Sequence, residues 1–297
     1  LQKVHKDPAH ARSLHNWILY YKRRWLRLAP TYLLFIGFYV AWIPRMHGAY
    51  ASANPEVMYQ AVKNCEENWW MNILFINNFI SMNDMCYGIT WYLSVDMQFY
   101  WIAPLFLIAL HYSWKSGVAS AVFGIILSAS SIIFLIVHFD LPAMGFNTFM
   151  APGDMAELRL NFLNYVYVKP WTRCIPYLVG ILSGYLIVQV EKKNISIRRP
   201  KTKYLLVCWM LATAAALVHV FGVYNYIRDT STWGVALRSI YAAYSRIGST
   251  AAVAWVVIAC SFDWAGPVKA ILEHPLWRPL GRLSFCTYLV HYFVLLV

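Results

Sequence analysis

The stretch Thr90–Leu110, TWYLSVDMQFYWIAPLFLIAL, decides the fold class. It is mostly apolar and has the length of one helical membrane crossing, about 20 residues. Asp96 nevertheless sits inside it, with Gln98 close by. An ionised Asp at mid-bilayer costs about 2.5–3.5 kcal/mol on insertion scales, so it should face other helices and find a partner. At helical spacing its neighbours are Tyr92 and Tyr100, while Ser94 and Gln98 fall on a different face. Asp96 lies about six residues into its helix, roughly 9 Å along the axis. Two readings follow: a structural pair between helices, and a substrate or proton site.

The rest of the chain carries the same signature. Of 297 residues, 60% are hydrophobic and 13% charged, against about 25% charged in a soluble domain. Mean hydropathy is +0.48. Fourteen Trp and 21 Tyr suit membrane interfaces, where amphipathic rings settle at headgroup depth. The class is an all-α, polytopic transmembrane bundle. A net charge of +12 would suggest nucleic acid in a soluble protein. Here the basic residues cluster in a few loops between apolar runs, which points to orientation in the bilayer, so no nucleic-acid partner is expected. The sequence opens at Leu1 without Met or signal peptide and stops in an apolar run begun at Leu283. It is therefore expected to be an internal piece of a longer protein.

Apolar runs predict about seven spans, over 28–44, 90–110, 117–138, 172–190, 203–223, 240–261 and 283 onward. The piece WWMNILFINNF at 69–79 is too short and too rich in Asn to cross, and reads as interfacial or re-entrant. Lys and Arg counts set the orientation, because cytoplasmic loops accumulate them. Segments 1–27, the turn holding Lys115, 191–203 and 262–282 hold 17 of them, against six in 45–89, 139–171 and 224–239. That alternation places residue 1 and the lead-in 1–27 in the cytoplasm, with 45–89 and 139–171 as long outside loops. The first of these holds Cys65 and Cys86. Outside loops face an oxidising space, so a Cys65–Cys86 disulfide is predicted. Cys174, Cys208, Cys260 and Cys286 read as packing residues. The sequon at Asn194 falls in a cytoplasmic loop and should stay unmodified. No metal-ligand spacing, phosphate-binding Gly loop, nucleophile elbow or internal repeat is present, and no metal or bound cofactor is expected.

Three further constellations could carry chemistry. In YYKRRWLRLAP (20–30), Arg23, Arg24 and Arg27 stand at the cytoplasmic mouth of the first span. Arg24 and Arg27 are three apart and share a helical face, which can grip phosphates bidentately. The competing reading is a basic juxtamembrane cluster on lipid headgroups. In KPWTRCIPYLVGILSGYL (169–186), Arg173 lies at a depth similar to Asp96 and is its best-placed cationic partner, with Arg246 next. Gly180 and Gly184 form a small-x-x-x-small pair that lets helices approach closely. In GRLSFCTYLVH (281–291), His291 falls near mid-membrane and is a possible acid or base, though a lone intramembrane His is more often structural. His219 has a weaker claim.

At these residues the chain resembles a known family. CEENWWMNILFINNF, MCYGITWYLSVDMQFYWIAP, KPWTRCIPYLVGILSGYL, YAAYSRIGSTAAVAWVVIAC and PLGRLSFCTYLVH occur in the order and spacing of the acyltransferase-3 domain of invertebrate nose-resistant-to-fluoxetine proteins. The resemblance runs from about residue 20 to the end and implies roughly ten spans. It also implies transfer of an acyl group from a cytoplasmic acyl-CoA or similar thioester, the co-substrate, to a sugar, lipid or other hydroxyl acceptor. RRWLRLAP looks like the family's Arg-x-x-Arg motif, which implies a donor-holding role for Arg24 and Arg27. The family's proposed catalytic His lies in a first span that precedes residue 1, so His291 is not promoted in its place. Asp96, Tyr92, Tyr100, Gln98, Arg173 and Arg246 would position the acceptor or hold the helices. The family's association with drug and yolk-lipid uptake leaves a second function open, lipid or xenobiotic transport without catalysis. Against transport, no inverted repeat is visible. A seven-span receptor is disfavoured because the charge pattern puts residue 1 in the cytoplasm.

Overall fold

A computed structural model describes residues 14–45, 52–145, 154–193, 199–229 and 232–296. Lys3, Lys6 and Arg12 of the basic lead-in and the sequon at Asn194 lie outside the described residues. The principal helices are α1 (Leu14–Trp42), α2 (Pro55–Ile73), α3 (Trp91–Tyr112), α4 (Trp114–His138), α5 (Asp154–Phe162), α6 (Cys174–Lys192), α7 (Thr202–Phe221), α8 (Val235–Ser261) and α9 (Trp277–Leu296). No strand occurs among the described residues. Six helical stretches are long and apolar enough to cross a membrane: His15–Arg45, Gly88–Tyr112, Trp114–His138, Cys174–Lys192, Thr202–Arg228 and Val235–Ser261. They match the first six expected spans. The seventh, expected from Leu283, lies in α9, which opens on Arg278, Pro279 and Arg282. Its apolar part among the described residues is too short to be a seventh such stretch. The molecule is a multi-pass, all-α membrane protein.

The chain forms two compact units. The first holds residues up to Pro104 and from Pro275 onward. Its organising element is α1, whose buried residues Ala29, Tyr32, Ile36, Tyr39 and Ile43 recur at alternating three- and four-residue steps. That spacing makes one apolar stripe on a helix. Met58 and Cys65 of α2, Phe75, Cys86 and Tyr87 of the connection, Leu93 and Met97 of α3 and Leu289 of α9 pack on it. Leu34, Phe38 and Trp42 on other faces are exposed, as suits contact with lipid. Cys65 and Cys86 are bonded, as expected, and tie α2 to the turns before α3. Tyr87 anchors α9: its hydroxyl donates to the Leu289 carbonyl at 2.8 Å and accepts from the Phe293 N–H at 3.1 Å.

The segment 69–79 ends α2 and then turns through short 3-10 pieces. Asn72, Asn77 and Asn78 are buried, the last two against α3. Asn78 and Gln98 exchange amide hydrogen bonds at 3.1 and 2.7 Å, and Gln98 also donates to the Phe75 carbonyl at 2.9 Å. Asn77 donates to Thr90 Oγ1 at 2.8 Å and accepts from Ser94. Buried amides and hydroxyls need such partners, and this network sets the face that α3 turns away from Asp96.

The second unit runs from Leu105 to His274. Here α8 packs against α4, α6 and α7. Its buried residues are small: Ser239, Ala242, Ala243, Ala252 and Ala259. Small side chains let helix backbones approach, the usual basis of packing between membrane helices. Ile132, Ile136, Leu141, Phe162, Val166 and Ile175 complete the core. The close approach expected at Gly180 and Gly184 lies elsewhere. A Cβ added at either would meet nothing within 4 Å, whereas one at Gly124 of α4 would lie 2.7 Å from Leu178 Cδ1 of α6. The packed face of α6 carries Ile175 and Leu178, so the glycine that admits it belongs to the opposing helix.

Candidate functional site: an arginine–aspartate pair on tyrosines

Asp96 is ion-paired, and its partner is Arg24 of α1 rather than Arg173. Reciprocal contacts between α1 and α3 fix the pairing. Tyr20 and Tyr100 stack with centroids 4.1 Å apart and planes within 6°. Each also donates its hydroxyl to the other's backbone carbonyl, at 3.4 and 3.2 Å. Tyr20 meeting Tyr100 and Arg24 meeting Asp96 make the helices antiparallel, with one helical turn between the contacts on each. The Arg24 guanidinium also lies 4.4 Å from the Tyr100 ring centroid, within the range of a cation–π contact. Tyr21 donates to the Trp101 carbonyl at 3.2 Å.

This register corrects the expected depths. Arg24 at the cytoplasmic mouth and Asp96 in the outer part of the membrane would stand well apart, yet they touch. The cause is the length of α1. Its 29 residues extend about 44 Å at 1.5 Å per residue, more than one hydrocarbon thickness of ~30 Å. The half beyond Ala29 packs on α2, the turns before α3, the start of α3 and α9.

The pair is partly open. The Arg24 and Asp96 side chains keep 31% and 33% of their surface, while Arg24 Nε is buried without a hydrogen-bond partner among the described residues. Arg23 and Arg27 are exposed. Of the expected stripe, Tyr100 joins the site. Tyr92 is 55% exposed and faces Tyr288 of α9 at 5.7 Å. Gln98 belongs to the buried amide network on the other face, as its helical position implied. His291 is exposed, with Nδ1 2.6 Å from the Tyr288 carbonyl of its own helix. Sequence reasoning missed Tyr20 and Tyr21. The signal was present, since Tyr20 stands four residues before Arg24 and so shares its face.

In the second unit Arg173 Nε donates to the Tyr167 carbonyl at 2.7 Å, with its guanidinium 4.3 Å over the Tyr167 ring. Arg246 Nη1 donates to the Thr172 carbonyl at 3.0 Å. Lys169, just before them, is buried, and burial pushes its ammonium group below the usual lysine range. Among the described residues no cluster of His, Cys, Asp and Glu could hold a metal ion.

The family model described as an acyltransferase domain, acyltransferase-3, matches residues 11–297. The chain is 30% identical over 302 residues to nose resistant to fluoxetine protein 6 of Caenorhabditis elegans, which covers 96% of this chain and 35% of that protein. It is 30% identical over 193 residues to regulator of hypoxia-inducible factor 1 of the same organism, covering 58% of this chain and 34% of that protein. The chain thus spans about a third of the length of these curated relatives. No solved structure matches it. On the extent of the family match, this chain belongs to the acyltransferase-3 family.

Proposed function

We propose that the chain takes part in acyl transfer at the membrane, from a cytoplasmic acyl-CoA-like donor to a hydroxyl acceptor such as a sugar or lipid. Family membership supports acyl transfer in general terms. The observation that carries the site is the Arg24–Asp96 pair seated on Tyr100. It joins the first arginine of the family-like Arg-x-x-Arg segment to the intramembrane acid.

In this reading Asp96 and Tyr100 hold the Arg24 guanidinium in one orientation, so that its exposed edge meets the donor's phosphate oxygens. Arg23 and Arg27, both exposed, add charge around the same mouth. Fixed donors aimed at an oxyanion bind it more strongly than mobile ones, because little ordering remains to be done. The acceptor oxygen attacks the thioester carbonyl carbon, the C–S bond breaks, and the hydroxyl proton passes through a general base to the departing thiolate. His291 is not given that role, because its ring is exposed and pairs with Tyr288 of its own helix rather than with Arg24, Asp96 or Tyr100. Asp96 is not given it either, since its carboxylate is committed to Arg24. The charge asymmetry of the loops supports a cytoplasmic side for residue 1.

The test is product formation from labelled acyl-CoA by full-length protein in lipid vesicles. Arg27→Gln should raise KM for the donor, with a smaller change in kcat. Loss of both Arg24 and Arg27 without effect on donor KM would end the donor-site assignment. Uptake of labelled lipid without any acylated product would favour transport instead.

A further inference from the structure

The connection between α7 and α8, in the second unit, folds around a cavity of about 620 Å³ lined by Asn225, Arg228, Asp229, Thr232, Trp233 and Leu237. It joins two stretches long and apolar enough to cross a membrane, Thr202–Arg228 and Val235–Ser261, so the cavity lies at headgroup depth. Its base is fixed. Val223 and Tyr226 are buried, and the Trp233 ring centroid stands 5.2 Å from that of Tyr226 and 5.1 Å from that of Tyr241. Tyr241 in turn donates to the His219 carbonyl of α7 at 2.8 Å. The rim is fixed as well. The Asp229 N–H donates to the Asn225 carbonyl at 3.0 Å, and the Thr232 hydroxyl to the Asp229 carbonyl at 2.7 Å. Arg228 is exposed, with its guanidinium 5.8 Å from the Tyr224 ring centroid. It forms no ion pair among the described residues, although Asp229 follows it in the chain.

One cavity thus offers a cation, an anion, an amide and an indole. Anchoring at the membrane interface accounts for the aromatic residues, but not for a cavity walled by opposite charges. An anionic group would bring its charge to Asp229, and a cationic one to Arg228. A zwitterion gives each an opposite charge. From this arrangement we infer that the cavity binds a phosphocholine group. Arg228 and the Asn225 amide donate to the phosphate oxygens, while the trimethylammonium group settles against Trp233 with Asp229 beside it. A quaternary ammonium has no N–H to satisfy, and aromatic rings are its usual protein partner. An ethanolamine group would instead need acceptors for three N–H donors. The phosphocholine can arrive on a membrane lipid or on a soluble ester. The site is independent of the acyl-donor reading and uses none of its residues.

Full-length protein in nanodiscs separates these sources. One arm uses equimolar phosphatidylcholine, phosphatidylethanolamine and phosphatidylglycerol, and counts retained lipid by native mass spectrometry. The other titrates phosphocholine onto protein in phosphatidylglycerol nanodiscs and follows the thermal unfolding midpoint. Retention of phosphatidylcholine above both other lipids assigns the site to a lipid headgroup. A phosphocholine-dependent midpoint without that enrichment assigns it to a soluble ester. Either supports the site if Asp229→Asn weakens the response ~10-fold, as expected for loss of one close charge contact. Retention of phosphatidylglycerol should not fall in that variant, which a general loss of lipid contact would not reproduce. Arg228→Gln should weaken the phosphocholine response by a similar factor. Both side chains are exposed, so either variant serves if the other is poorly folded. A wild type with neither response, or variants that respond as the wild type does, would overturn the inference.

Discussion

Asp96→Asn keeps the shape of the side chain and one acceptor oxygen but removes the charge facing Arg24. Two unit charges ~4 Å apart attract by about 4 kcal/mol at the effective dielectric of ~20 that suits sites near a protein surface. Both side chains stay about one-third exposed, so screening and the ordering of a long arginine remove much of that gain. The Tyr100 ring still supports Arg24 in the variant, a contact of roughly 0.5–2 kcal/mol. The coupling between the positions is therefore expected at about 1–2 kcal/mol, above a typical surface pair and below a buried one. The assay is a double-mutant cycle on the full-length protein in nanodiscs, using Arg24→Gln, Asp96→Asn and the double variant. Unfolding free energy is the readout. Single effects that add to within ~0.3–0.5 kcal/mol mean that the two positions do not interact, and that result would refute the pairing. A larger coupling between Asp96→Asn and Arg173→Gln would restore the partner expected from the sequence.

The Cys65–Cys86 bridge closes a loop of sequence separation 21, and its loss in Cys65→Ser should destabilise the protein by about 3 kcal/mol on the chain-entropy model. In unreduced wild-type protein neither thiol should alkylate, and labelling of both by mass spectrometry would show the bridge absent. At the helix contacts, Gly124→Leu should cost about 1–3 kcal/mol by overpacking against Leu178. Gly184→Ala meets no atom and should be neutral or stabilising by roughly 0.5–1 kcal/mol, as Ala is favoured over Gly inside a helix. The reverse order in thermal unfolding would reinstate the α6 glycines as the packing surface.

What could be read from the sequence follows from the range of each interaction. Spans were legible because hydrophobicity is summed along one contiguous run, and the two faces of α3 were legible because 3.6-residue periodicity is local. Tyr100 fell with Asp96, and Ser94 and Gln98 fell together on the amide face. The disulfide was legible because one loop, read as outside from the charge pattern, held two cysteines. The partner of Asp96 was not, because choosing it needs the relative height of two helices. A hydropathy reading centres a span on its apolar residues, and four basic residues between Lys22 and Arg27 pushed the first span to 28–44, although the helix begins at Leu14. That displacement left Arg24 at a membrane mouth, so Arg173, read near the outer end of its own span, became the cation level with Asp96. The tyrosines carry the missing information. Once Tyr20 stacks on Tyr100, antiparallel helices bring the residue four later on α1 level with the residue four earlier on α3, which are Arg24 and Asp96. The aromatic pair therefore sets the register, and the charge pair that depends on it is the part most exposed to error when aromatic residues are read only as membrane-interface anchors.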